Sequence, residues 1–143
     1  MEELFPLLPF RGSLYGPDEL FAGFSVDDPL SYAGTPDFRA YRSTRLAPSR
    51  EVGMLRALHD QSINEARDAL LIGERVVAIM GGHALPRDAD AYREVARLSF
   101  ELARDGYMVC SGGGPGAMEA THLGALLSRR SVDKLERALG ELA

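Results

Sequence analysis

The segment Ser111-Gly-Gly-Gly-Pro-Gly-Ala117 carries the residue types a phosphate holder needs, at a spacing that suits one. Glycines lack a Cβ, so Gly112, Gly113 and Gly114 can adopt positive φ, turn their N–H groups into a concave nest and let an anion approach the backbone. Pro115 fits the first position of a helix, where a missing N–H costs nothing. The N–H groups of Gly116 and Ala117 would then face the anion, with the positive end of the helix dipole behind them. The alternative is a tight turn that binds nothing, although three successive glycines are entropically costly for that role alone.

Four other groups adjoin this turn in the sequence pattern. Gly81-Gly82-His83 ends an apolar run. In a parallel sheet the carboxyl ends of neighbouring strands share one edge, so both glycine turns are expected to border one crevice. His83 can reach a phosphate or a ribose hydroxyl there, or serve as an ordinary solvated loop histidine. Glu119, one turn into the helix, favours the dipole but repels a phosphate held at the N-terminus, so it is either a surface acid or a contact to a sugar. Cys110 reads as a small core residue rather than a nucleophile. His59 and His122 have no companion at metal-ligand spacing, and neither a metal nor a cofactor is implied.

The elements that must position these groups follow from periodicity. Leu55, Leu58, Ser62, Ala66, Ala69 and Leu70 recur at three- and four-residue steps and predict a helix from about Arg50 to Ile72, ended by Gly73. Arg75 to Met80 is β-branched, apolar and bounded by glycines, which predicts a buried parallel strand. Asp88 or Asp90 can cap a helix whose Ala91, Val95, Leu98 and Leu102 share a face, and Gly106 closes it. Tyr107 to Cys110 predicts a second strand, Pro115 to about Ser128 a third helix, and Ser131 the cap of a fourth with Val132, Leu135, Leu139 and Leu142 on one side. Strand, helix and strand in that order make a right-handed βαβ unit. Gly116, Ala120 and Gly124, four residues apart, give the third helix a small-residue groove for close packing.

Most of the chain's eight prolines and many aromatics, among them Phe5, Phe10, Tyr15, Phe21, Phe24, Tyr32, Phe38 and Tyr41, fall in residues 1–50. No long period holds there. This stretch is expected to be an extended arm, with one helical turn at Pro17 to Ala22, that wraps the domain or a neighbouring subunit. Residues 51–143 are expected to form the nucleotide-binding domain.

Composition bounds the partners. The chain has 143 residues, the length of one domain, and 45% of them are hydrophobic, enough for a core. Its net charge of -5 opposes coating of nucleic acid or of an anionic membrane, while one phosphorylated small molecule needs only a local patch of donors. The single cysteine fits a reducing compartment, and Glu2 and Glu3 at the start do not form a signal peptide, so a cytoplasmic location is expected.

Gly112, Gly114 and Ala117 also satisfy G-x-G-x-x-A, the dinucleotide fingerprint. That fingerprint wants an acidic residue at the tip of the next strand, whereas Leu123 to Leu135 reads as helix, turn and helix, and Asp133 has no strand to carry it. A mononucleotide is favoured over NAD.

Over about Val76 to Leu127 the sequence resembles the N-terminal portion of the Lonely Guy (LOG) family of nucleoside 5′-monophosphate phosphoribohydrolases, also described as lysine decarboxylase-like. The resemblance rests on Val76-Val-Ala-Ile-Met-Gly-Gly82, Tyr92, Ala96, Leu102 and Gly106, and on Ser111-Gly-Gly-Gly-Pro-Gly-Ala-Met-Glu-Ala120 with Gly124-Ala125. It implies a Rossmann-like α/β fold, a nucleoside monophosphate bound by Gly112 to Gly116, hydrolysis of its N-glycosidic bond to base and ribose 5-phosphate, and a homo-oligomer. The family's second motif, P-G-G-x-G-T-x-x-E, is absent. Gly34-Thr35 is the only Gly-Thr pair, and Phe38 stands where the glutamate belongs. A glycosidase without that carboxylate lacks its means of stabilising an oxocarbenium-like sugar. The resemblance therefore implies a phosphate site without the catalytic half, or else a non-catalytic mononucleotide-binding module completed by a partner chain. The parallel sheet is expected to be incomplete, and the last helix to present an uncovered apolar stripe.

Overall fold

The computed structural model describes residues 6–45 and 49–143; Glu2, Glu3 and Phe5 lie outside them. Two compact units are present, Met1–Ile72 and Gly73–Ala143.

The first unit is helical where an extended arm is expected. A single turn, α1 (Pro17–Leu20), is followed by a 3₁₀ helix (Pro29–Gly34), then α2 (Pro36–Arg45) and the long α3 (Arg50–Leu71). The origin of α2 is local. Thr35 is fully buried and its hydroxyl accepts a bond from the Phe38 N–H at 3.2 Å, Pro36 occupies the first helical position, and Asp37 lies in the first turn. Ser49 caps α3 in the same way, accepting from Val52 N–H. The buried side of α3 carries Val52 and Ser62, with Leu55, His59 and Ala66 half-buried; Leu58, Ala69 and Leu70, expected on this stripe, are exposed.

The segment before α1 lies along α3. Ser62 Oγ donates to the Pro9 carbonyl at 3.3 Å and accepts from Arg11 N–H at 3.4 Å. Tyr15 stacks on His59 at 5.6 Å, and its hydroxyl is 3.1 Å from His59 Nε2. Arg11 holds Glu19 through both carboxylate oxygens, which lowers the Glu19 pKa from its ordinary value. Phe21, Phe24, Tyr32, Phe38 and Tyr41 form a chain of ring contacts across the 3₁₀ helix and α2. The rings touch one another, yet Phe21, Phe24, Tyr32 and Tyr41 stay largely exposed.

The second unit contains β1 (Val76–Ile79), α4 (Asp90–Arg104), β2 (Met108–Ser111), α5 (Ala117–Leu127) and α6 (Val132–Leu142). The strands pair in parallel, with Val76 opposite Met108 and Ile79 opposite Ser111. Among the described residues the sheet stops at these two strands. A Rossmann-like fold is therefore corrected to a mostly helical structure with a small open sheet, since two strands of four residues do not form the multi-stranded layer such a fold requires.

The core of this unit lies among its helices. Tyr92, Ala96 and Phe100 of α4, Ala120 of α5, and Leu135 and Leu139 of α6 are buried together, with Leu85, Val95, Leu123 and Leu127 packed around them. Burying each large side chain contributes about 1.5–3 kcal/mol. The last helix is accordingly not left with a bare stripe: its Leu135 and Leu139 close the core. On α4 the inward face is Tyr92, Ala96, Ser99 and Phe100, while Leu98, expected inside, is 54% exposed. The helix is turned so that Ala96 and Phe100 present backbone to α5. A Cβ on Gly124 would strike the Ala96 carbonyl oxygen and come within 2.9 Å of Phe100 N, so only glycine permits this approach. Ser99 Oγ seals the seam by donating to the Thr121 carbonyl at 2.6 Å.

Arg97 of α4 and Glu136 of α6 form a two-pronged ion pair, both bonds 2.7 Å. The guanidinium holds the Glu136 carboxyl below its ordinary pKa. A depressed carboxyl stabilises the fold above its unfolded pKa and loses that contribution as pH falls through the folded value. Arg97→Gln should cost about 0.2–1 kcal/mol at neutral pH, as solvated pairs do, and the deficit should vanish in urea titrations below the carboxylate range. Leu139→Ala should cost about 2–5 kcal/mol in the same assay, and a loss well under 1 kcal/mol would remove α6 from the core.

Candidate functional site

The two glycine turns do meet, and backbone contact joins them. Gly116 has φ of 73° and caps α5; its N-terminal neighbour Pro115 lies outside the helix, which starts at Ala117. A Cβ on Gly116 would run into the Gly82 carbonyl oxygen and stand 3.1 Å from the Leu85 carbonyl oxygen. From the other side, Gly82, with φ of 65°, would place a Cβ 2.7 Å from that of Ala117. Between them, Ala117 N–H donates to the Gly82 carbonyl at 3.2 Å, and Leu85 N–H donates to the same oxygen at 3.0 Å. One of the two helix-end amides expected to face an anion is therefore bonded to protein.

The Gly112–Gly114 stretch differs from an open nest in two respects. Positive φ occurs at Gly81, Gly82 and Gly116 but at none of Gly112, Gly113 and Gly114. The thioether of Met118 also lies over the turn: its sulfur sits 2.9 Å from where a Gly112 Cβ would be, and its methyl group meets the corresponding position of Gly114. The turn is tied down at its start. Ser111 Oγ donates to the Ile79 carbonyl across the strands at 2.6 Å, and His122 Nε2 is 3.1 Å from the Gly112 carbonyl oxygen.

Glu119 is half-buried and paired. Arg87, from the loop after Gly82, grips it through two contacts, Nη2 to Oε1 at 2.6 Å and Nε to Oε2 at 3.2 Å. Hydrogen bonding to Glu119 raises the Arg87 pKa above its ordinary value. Nearby, the fully buried Tyr92 hydroxyl has no hydrogen-bond partner, and burial, reinforced by the Glu119 charge, pushes its pKa up. His83 is exposed on the loop between Gly82 and Leu85. Cys110 is half-buried in β2.

Two contributors to this region, Arg87 and His122, carry no recognisable motif, and Tyr92 and Met118 were read only as part of the resemblance. Arg87 and Glu119 are separated by 32 positions, so only the folded chain pairs them. Met118 had one available signal, its place one turn after three glycines that leave room for a long flexible side chain.

A scan of protein-family models and searches of curated proteins and of solved structures found no match to this chain. The resemblance to the LOG family and the function it implies are therefore corrected. The helical, two-stranded architecture does not build the crevice along an open parallel sheet in which such enzymes hold a nucleotide, and neither hydrolysis nor mononucleotide binding follows from it. No cluster of three or more His, Cys, Asp or Glu side chains able to hold a metal occurs among the described residues, and no described helix is long and apolar enough to cross a membrane.

The packing of the two turns makes a test. Gly116→Ala should lower the thermal midpoint of the chain by several degrees or abolish its folding, because it meets both a positive φ and a backbone collision. Gly114→Ala should be far milder, since the methyl meets only the movable end of Met118. Equal effects of the two substitutions would refute the contact between Gly116 and Gly82.

Proposed function

We propose that the Gly73–Ala143 unit is an assembly module, completed by strand addition along β2 from a second copy of the chain. The observation that carries this reading is the unused backbone edge of β2. Met108 N–H donates to the Arg75 carbonyl at 2.9 Å, so Met108 and Cys110 turn their amides toward β1. In a parallel ladder the alternate residues Val109 and Ser111 then turn theirs the other way, where no described strand pairs with them.

An edge of this kind templates the addition of another strand unless charge, proline or a covering element blocks it. Met108-Val-Cys-Ser111 contains no charge and no proline. Beside it, a depression of about 220 Å³ is lined by Val109, Ser111, Thr121, His122, Ala125 and Leu126, and Leu126 is 79% exposed. The outer edge of β1 is less suited, because Glu74 and Arg75 lead into it. A homo-oligomer also supplies what two short strands lack, a sheet wide enough to be stable. The assembly belongs in the cytoplasm on the ground that the lone cysteine stays reduced there.

Sedimentation velocity across a hundredfold concentration range tests the reading. The wild-type chain should sediment as more than one copy at high concentration. Val109→Pro removes an outward amide while leaving the bonds to β1, and should sediment as one copy with an unchanged circular dichroism spectrum. A wild-type chain that remains single throughout, or a folded Val109→Pro variant that assembles as before, overturns it.

A further inference from the structure

Resting on that reading, the geometry points to a single register for the added strand: antiparallel, with Val109 opposite the partner subunit's Ser111 and Cys110 on the two-fold axis. A closed pair built on one shared edge must be isologous, and a two-fold axis crossing a strand edge makes the two strands antiparallel. Hydrogen-bonded pairs in an antiparallel ladder unite residues whose amides point at each other. On β2 these are Val109 and Ser111 alone. Pairing Val109 with the partner's Val109, or Ser111 with the partner's Ser111, uses one outward residue of each strand. Pairing Val109 with the partner's Ser111 uses both, and places no charge against a like charge.

The side chains agree with this arrangement. Along β1, Val77 and Ile79 are half-buried while Val76 and Ala78 are exposed, so one face of β1 is covered and the other is open; all four residues of β2 are half-buried. Val109 and Ser111 share the face lined by Thr121, His122, Ala125 and Leu126 of α5, and Cys110, half-buried, lies on the other face with Ala78, its partner in the ladder. A two-fold axis perpendicular to the sheet keeps both α5 helices on one face. Leu126 of each copy then approaches the other's depression and helps to fill it. On that other face, Cys110 stands opposite the partner's Cys110 as a non-hydrogen-bonded pair, with Cα atoms about 4.5 Å apart. That lies within the range of roughly 4.4–6.8 Å that a disulfide spans.

The thiols supply the readout. Diamide oxidises two facing thiols to one disulfide: each sulfur gives up a proton and an electron, and the N=N bond takes both pairs to become a hydrazine. The full chain, at a concentration where sedimentation shows dimers, should form a dithiothreitol-sensitive covalent dimer on a non-reducing gel within minutes, at least tenfold faster than Val109→Pro at the same concentration. Val109→Cys in a Cys110→Ser background should cross-link at least tenfold more slowly than wild type. If sedimentation shows dimers but Cys110 does not cross-link faster than in Val109→Pro, or if Val109→Cys cross-links in its place, this register is overturned while strand addition stands. Absence of dimers in sedimentation overturns both.

Discussion

Helix α5 lies so near its neighbours that two of its contacts are made by backbone alone. At Gly124 it meets the Ala96 carbonyl and Phe100 N–H of α4, and at Gly116 it meets the Gly82 and Leu85 carbonyls in the loop after β1. Nearly every other feature of the Gly73–Ala143 unit depends on this approach. It buries Ala96 and Ala120 completely, brings the Ser99 hydroxyl onto the Thr121 carbonyl, and leaves the space between α4 and α6 to be filled by Tyr92, Phe100, Leu135 and Leu139. A larger residue at either glycine would push α5 outward and open that core, and interiors packed to crystal-like density tolerate little such displacement.

The same constraint shapes the turn that has the composition of a phosphate holder. Once Gly116 is pressed against Gly82, the Ala117 amide finds an acceptor in the Gly82 carbonyl, and the Met118 thioether lies across Gly112 and Gly114. Glu119 then comes within reach of Arg87. Glycine serves here as the residue that lets two backbones touch, a use that shares its sequence signature with anion binding. The Tyr92 hydroxyl beside the Arg87–Glu119 pair is the one buried side-chain polar atom left without a partner among the described residues, which shows how completely the region is otherwise satisfied.

Several elements were legible from residue order. The bounds of α3, the stop at Gly106 and the parallel strands around 76–79 and 108–111 follow from periodicity, glycine position and β-branched runs. Others were readable but outweighed: Thr35-Pro36-Asp37 is a complete helix start, masked by the proline and aromatic density around it. The inward face of α4 was not legible. Leucine spacing favoured Leu98, whereas small residues on α5 draw in the side holding Ala96, and a three-residue or four-residue period cannot say which partner a helix will meet.

What the sequence determined by itself is therefore much of the local structure: strand composition, the caps at Thr35 and Ser49, and the positive φ open to Gly82 and Gly116 act over a few bonds, whereas the need for glycine at Gly124 comes from Ala96 and Phe100 of α4. Only the tertiary structure decided what those glycines are for. Whether an unhindered backbone receives a ligand, a methionine or another backbone depends on groups 30 or more positions away, such as Gly82 against Gly116 or Arg87 against Glu119. Among the described residues α6 spends its apolar stripe on the helical core, and β2 pairs on one side only, with β1.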